Sequence, residues 1–446
     1  MEKDMTAGTP GKIIFNFTMP IFIGNIFQQF YNMADTVIVG KFVGNAALAA
    51  VGACGTLVFL IIGFLQGVTA GFTVVTAQHF GAGNMKAMKK SVASGAVLTG
   101  IVTVILTLLS MISMAKVLHL MNTPSDMYGE AYGYIMVICG GIVAQALYNY
   151  LASVLRALGD SKRPLYFLVI AAFLNIVLDL VFVISFGWGV AGVAVATLIA
   201  QGVSAVISFV ILMLKVRKYH SEGHFQLYDG GMVLGMLKVA VPSTLQQSIV
   251  HIGMLLVQSV INGFGSSIMA GYAAATRIES ISIVPMLAIG NAMSTFTAQN
   301  MGAGQPERVR TGYRYGAMMV GVSAVILCVL LQLFGDTFIM AFLDPESGAE
   351  AFRTGVSYVN FISFFFVFIG LKATTDGLLR GAGDVLVFTI ANLVNLTIRV
   401  FVAFQFAPIW GPQAVWFAIP MGWAANYLIS LARYLTGRWS RIKMVG

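Results

Sequence analysis

Apolar runs long enough to cross a lipid bilayer follow one another along the whole chain, with only short polar stretches between them. An α-helix rises about 1.5 Å per residue, so roughly 20 apolar residues span the ~30 Å hydrocarbon core. Such runs place helices at 13–39, 46–78, 92–116, 131–155, 165–186, 190–215, 233–262, 268–299, 314–334, 355–380, 386–407 and 413–435. Several exceed the minimal length, which implies tilted or bent spans. Of 446 residues, 58% are hydrophobic and only 10% charged, against about 25% charged in soluble domains. No soluble core hides that much apolar surface, so lipid must be the solvent for much of it. The stretch Met1 to Lys12 is polar and short, and the apolar run after it passes Tyr31 without a small-residue cleavage site. It reads as a retained helix rather than a removed signal peptide.

Charge orients these spans. Lys86, Lys89 and Lys90; Arg156, Lys162 and Arg163; Lys215, Arg217 and Lys218; and Arg308, Arg310 and Arg314 all fall on one side of the map. Lys3, Lys12 and the closing Arg433, Arg438, Arg441 and Lys443 fall on the same side. The opposite loops carry almost no Lys or Arg, and one holds Asp336, Asp344, Glu346 and Glu350. The positive-inside rule then puts both termini in the cytoplasm of a cell (plasma or inner) membrane protein. The net charge of +9 is thus topogenic. Basic residues scattered over short loops make a poor nucleic-acid surface.

The chain repeats itself. Thr76-Ala-Gln-His-Phe-Gly-Ala-Gly83 returns as Thr297-Ala-Gln-Asn-Met-Gly-Ala-Gly304, 221 residues on. Arg156-Ala-Leu-Gly-Asp160 matches Arg380-Gly-Ala-Gly-Asp384, Asn175 matches Asn395, and Pro20 matches Pro242. Anchors in the same order signal an internal duplication. Six spans per copy return the chain to its starting side, so the repeats are parallel, related by an axis along the membrane normal. The expected fold is all-α: twelve transmembrane helices in two pseudo-symmetric six-helix lobes. The expected domains are 1–220, an N-terminal lobe with the cation site; 221–232, a cytoplasmic linker; and 233–446, a C-terminal lobe. Two bundles of this kind suit alternating access.

The glycine motifs lack a following Lys-Ser/Thr and no strand precedes them, so they read as tight turns rather than phosphate cradles. With no ATP-binding motif, energy comes from an ion gradient, a partner subunit or the solute's own gradient. Cys54, Cys139 and Cys328 sit in separate apolar runs with no metal spacing and read as apolar filler. No cofactor is expected, and the expected partners are an organic solute and membrane lipid, with the monomer as the working unit.

Charges inside the spans carry the functional signal, because each costs about 2.5–3.5 kcal/mol at the bilayer centre. They are Asp35, Asp179, Arg277, Glu279, Lys372, Asp376 and Arg399. Asp35 and Asp179 lie about two-thirds along the outward-running first and fifth spans. Asn175 precedes Asp179 by one turn, about 6 Å away on the same face. Thr197 enters the sixth span to a similar depth, about 10 Å. Carboxylates, an amide oxygen and a hydroxyl are the hard ligands of a small cation such as Na⁺, and the same acids, desolvated together, can hold a proton. In the second copy Arg399 stands where Asp179 stands in the first. Lys372 and Asp376, four residues apart, are as readily a structural ion pair as a solute contact. Arg399, Lys372, Asp376, His251 and Gln246 are the candidate solute contacts, although a lone His251 in an apolar helix more often packs through a hydrogen bond. Cation coupling is therefore expected in the first copy and solute binding in the second.

Pro20, Asp35-Thr-x-x-x-Gly40, both Thr-Ala-Gln-x-x-Gly-Ala-Gly motifs, Arg156-Ala-Leu-Gly-Asp160, Asn175-x-x-x-Asp179 and Leu379-Arg-Gly-Ala-Gly-Asp384 together resemble the multidrug and toxic compound extrusion (MATE) family. The resemblance covers essentially the whole chain. It implies two six-helix lobes and efflux of organic solutes in exchange for Na⁺ or H⁺. It is closer to DinF-like members, which implies an N-lobe cation site at Asp35, Asn175, Asp179, Thr197 and Asn149. The NorM-like carboxylate of the seventh helix has no counterpart near Val250 and His251. One alternative is a flippase for a lipid-linked or phosphate-bearing precursor. A membrane enzyme would need clustered His or an activated nucleophile, and the five His residues are scattered.

Overall fold

The computed structural model describes residues 4–121, 123–219, 229–346 and 348–444. Contacts divide the chain into two compact units: Ile23–Thr244, and Asp4–Phe22 with Leu245–Gly446. Unit 1 takes most of α1 (Pro10–Ile38), then α2 (Asn45–Gly81), α3 (Met85–Leu120), α4 (Ser125–Gly140) and α5 (Ile142–Ala157). It continues with α6 (Lys162–Leu180), α7 (Gly189–Lys218) and the first part of α8 (Gly230–Asn262). Unit 2 takes the first turns of α1, the rest of α8, then α9 (Ser266–Ser282), α10 (Val284–Gly302) and α11 (Pro306–Met340). It closes with α12 (Ala349–Ser363), α13 (Phe366–Ala382), α14 (Val385–Trp410) and α15 (Gln413–Leu435).

Among the described residues, nine helices are long and apolar enough to cross a membrane alone. Counting three bent pairs as one span each gives twelve. The pairs α4/α5, α9/α10 and α12/α13 bend by 47°, 40° and 53°, where the sequence predicts single spans at 131–155, 268–299 and 355–380. The α9/α10 break has a local cause: Pro285 sits in the first turn of α10, where its missing N–H costs nothing.

The contact boundaries fall inside α1 and α8, not in the segment 221–232 that the sequence suggests. Of that segment, 221–228 lies outside the described residues. Pro20 and Pro242 lie inside these helices next to the two boundaries. A proline removes the bond to residue i−4, so the halves of each helix can follow different neighbours. From residue 229 the chain is already helical or capping: Asp229 Oδ1 accepts from Gly231 N and Met232 N, and its other oxygen meets Lys90 Nζ at 2.6 Å.

The duplication is visible in the backbone. Gly83 and Gly304 both have positive φ, 70° and 69°, and Gly159 and Gly383 have 80° and 83°. Only glycine takes that conformation freely, so the motif glycines end helices, as turns. The motif acids also match. Asp160 faces Arg163 at 3.1 Å and Lys215 at 3.7 Å, and Asp384 meets Arg433 Nε at 2.5 Å. Each ties the start of a lobe's fifth span to the end of its sixth.

Within unit 1, α2 packs on α3, α4 and α5, and α7 packs on α4, α5 and α6. Within unit 2 the tightest seam joins α10 and α13. There a Cβ on Gly377 would strike the Gly290 carbonyl, so the missing side chain is what lets the two backbones meet. Large apolar side chains such as Ile112, Leu333 and Leu386 point outward, as lipid-facing surface requires.

Candidate cation site in unit 1

Two helices that carry the acids, α1 and α6, each run into a π turn, Val39–Val43 and Val181–Ser185. The wide turns close through Gly44 N to Val39 O and Phe186 N to Val181 O, both 3.1 Å. Their apolar side chains, Val39 and Val183 among them, share one small core with Ile38, Val190 and Val193. Single π turns recur at functional sites. Here they bring together two helix ends, each carrying its aspartate just upstream.

The carboxyls of Asp35 and Asp179 lie within hydrogen-bonding reach of each other. Asp179 is fully buried and Asp35 partly so. As carboxylates they accept only, yet Asp35 Oδ1 and both oxygens of Asp179 find no donor. One turn before Asp179, buried Asn175 donates through Nδ2 to Thr197 Oγ1 at 3.4 Å, while the Thr197 hydroxyl donates to Val193 O at 3.0 Å. Asn175 Oδ1 stays without a partner. Beside this group is a cavity of about 10 Å³ lined by Tyr31, Asn175, Thr197 and Gln201. That is room for about one water or one bare ion. Gln201 Oε1 is also unpartnered.

Tyr31, Tyr134 and Gln201 are members of this site that sequence reasoning missed. Tyr31 reaches Thr197, and both tyrosines lie within charge range of the two carboxyls. Tyr31 precedes Asp35 by one turn, the same spacing as Asn175 and Asp179, and that was the signal available. Asn149 makes a local bond. Its amide donates to Gln145 O of its own helix at 2.9 Å, and no recorded contact joins it to the acids.

Chemically, buried acceptors without donors require positive charge. A proton shared by the two carboxyls supplies it, and so does a small cation held by carboxylate, amide and hydroxyl oxygens. Among the described residues no group of three or more His, Cys, Asp or Glu gathers as a metal site, so transition-metal ligation has no donor set here.

Unit 2 is built differently at the matching place. Asn395 is buried with Oδ1 unpartnered, but Arg399 replaces the acid. It lies within charge range of Tyr272 and of Glu279, which accepts from Tyr358 Oη at 2.7 Å, and its buried Nε has no partner. Lys372 pairs with Asp376 at 3.2 Å, and Asp376 also accepts from Ser430 at 2.8 Å and Asn392 at 3.3 Å. The interior of unit 2 is therefore balanced in charge rather than basic, because each interior cation has an acid near it. Arg277 points outward. Gln246 is nearly buried with Oε1 unpartnered, and His251 is half-buried. No recorded contact joins either to Arg399 or Lys372.

Two duplicated six-span bundles, each with buried charged residues inside it, define a polytopic helical transporter. A profile of the MatE family matches residues 20–181 and 242–405, and the chain belongs to that family of multidrug efflux transporters. It is 29% identical over 443 residues to the probable multidrug resistance protein YpnP of Bacillus subtilis, covering 99% of this chain and 98% of that one. It is 26% identical to the probable multidrug resistance protein NorM of Thermotoga maritima, over 96% of this chain and 93% of that one. Among solved structures, an outward-facing multidrug resistance MATE transporter superposes with a TM-score of 0.90 at 25% identity, covering 97% and 96% of the two chains.

Proposed function

We propose that this chain is an antiporter that exports organic solutes by alternating access, driven by H⁺ or Na⁺ bound in unit 1. The observation that carries the reading is the facing pair Asp35 and Asp179, with three carboxylate oxygens lacking any donor. Asn175, Thr197 and the one-ion cavity beside them complete an oxygen set for Na⁺. A cation or proton entering from one side neutralises the pair, and its release restores the repulsion, which is a two-state bias of the kind alternating access needs. Solute contacts fall to Arg399, Gln246 and His251 of unit 2. Lys372 and Asp376 support that region as an ion pair. Both termini lie on the cytoplasmic side, and the monomer is the working unit.

The test is reconstitution in liposomes with sodium and proton gradients imposed separately, following export of a panel of lipophilic cations and zwitterions. Asp35→Asn should abolish coupling to one gradient while the protein still inserts. Undiminished gradient-driven export by that variant would remove the proposed site.

A further inference from the structure

Away from the acids, unit 2 has an apolar groove of about 400 Å³. One wall is α1, through Phe15, Thr18 and Met19, and the other is α11, through Met318, Val322 and Ile326. Met318, Val322 and Ile326 are 64%, 56% and 53% exposed, so the groove opens outward along its length. It also has a polar end. Gly11 packs directly on the ring of Tyr315, which fixes α1 and α11 against each other at that level. The neighbouring residues are Lys12 and Arg314, both exposed and, among the described residues, in no ion pair, with Arg314 in charge range of Tyr434. Lys12 shares a face with Phe15 and Met19, and Arg314 leads the i+4 row Met318, Val322, Ile326. Two exposed cations therefore lie next to the head of an apolar slot.

The dimensions fit one class of ligand. Arg314 to Ile326 is about 18 Å of helix at 1.5 Å per residue, close to the ~15 Å hydrocarbon depth of one leaflet. Thr18 lines the slot, is 3% exposed as a residue, and its buried hydroxyl has no partner. It lies about 9 Å below Lys12 along the helix, at the level of an acyl ester. We propose that this groove is a binding site for a phospholipid with a net anionic head, of the phosphatidylglycerol type. Its phosphate sits between Lys12 and Arg314, its ester carbonyl accepts from Thr18, and one acyl chain fills the groove. A zwitterionic head brings an ammonium toward the same two cations and is disfavoured. The proposal rests on the membrane-spanning fold and not on the coupling site.

The experiment uses Phe15→Trp as a reporter in nanodiscs. Phosphatidylglycerol or phosphatidylcholine, brominated near the carbonyl end of its chains, is added at equal mole fraction. Fluorescence is read against the wild-type protein to subtract the native tryptophans. The anionic lipid should quench the reporter at least about twofold more, and Lys12→Gln with Arg314→Gln should remove the preference. Should that double variant fail to fold, Val322→Trp fills the groove with both cations intact. Native mass spectrometry should then show loss of a phosphatidylglycerol that the wild-type protein retains. Equal quenching by both lipids in the reporter protein overturns the proposal, leaving ordinary boundary lipid. Displacement of the signal by an exported lipophilic cation overturns it in favour of a solute path.

Discussion

Replacing Asp179 by asparagine separates the stability of the acid pair from its function. The substitution keeps the shape and turns an acceptor-only group into one with two donor hydrogens. In the native chain three oxygens of the pair have no donor. The new amide removes a buried charge and donates to Asp35. An unpaired buried polar atom costs about 1–3 kcal/mol, so relieving one should stabilise the cation-free protein by that order, a rise of a few degrees in Tm. Function should move the opposite way. With one carboxylate left, cation binding and gradient-driven export should fall at least about tenfold, equivalent to ~1.4 kcal/mol of lost affinity. A bound cation at about a hundred times its Kd stabilises by roughly 2.7 kcal/mol, and the variant should lose that increment. The assay is thermal unfolding in sodium chloride and in choline chloride at equal ionic strength and several pH values, paired with liposome export. The reasoning fails if Asp179→Asn unfolds earlier than the parent in choline while keeping cation-dependent stabilisation and export.

Four shorter predictions concern the scaffold. Asp384→Asn breaks the buried contact with Arg433 and should cost about 2–3 kcal/mol, seen as a lower Tm with solute selectivity unchanged. Gly377→Ala drives a methyl into the Gly290 backbone and should cost about 1–3 kcal/mol, while Gly52→Ala, which meets nothing, should be close to neutral in the same melt. Lys372→Met alone should destabilise strongly by stranding Asp376, and adding Asp376→Leu should recover much of the loss; a double variant as unstable as the single would argue against a structural pair. Lys90 and the backbone donors of Met232 and Gly231 hold Asp229 below its usual 3.8. Its contribution is therefore present above that value and is lost only as pH falls through the lowered one. The Tm difference between wild type and Asp229→Asn should be flat from about pH 5 to 8 and shrink only in strong acid.

Spans and duplication were legible because lipid imposes one rule, an apolar run of fixed length, on every helix. Asp35, Asn175, Asp179 and Thr197 stood out for the converse reason, since a polar group at depth is costly, and α1, α6 and α7 bring them near one another. The remainder depended on information no local pattern carries. A π turn has no sequence signature, yet Val39–Val43 and Val181–Ser185 bring the acids' helix ends together. Tyr31 and Tyr134 are two of 15 tyrosines, and only their place beside the carboxyls distinguishes them. Glu279 meets Tyr358, a partner 79 residues away that no local pattern reveals. The Asn149 amide nitrogen donates to Gln145 O of its own helix, a local bond that a family pattern does not reveal.

The difference between the units follows from one substitution on a shared frame. Asn175 and Asn395 are both buried with an unpartnered oxygen, so each copy holds an amide at the same depth. Four residues later the copies diverge, Asp179 in one and Arg399 in the other. The acid shares its space with a second acid and leaves three oxygens unmet. Arg399 instead has Tyr272 and Glu279 around it. One interior therefore holds acid oxygens without donors, while in the other the cation has an acid within charge range, with Arg399 Nε itself unpartnered. The proposed division of labour, with the ion in unit 1 and the solute in unit 2, rests on that contrast.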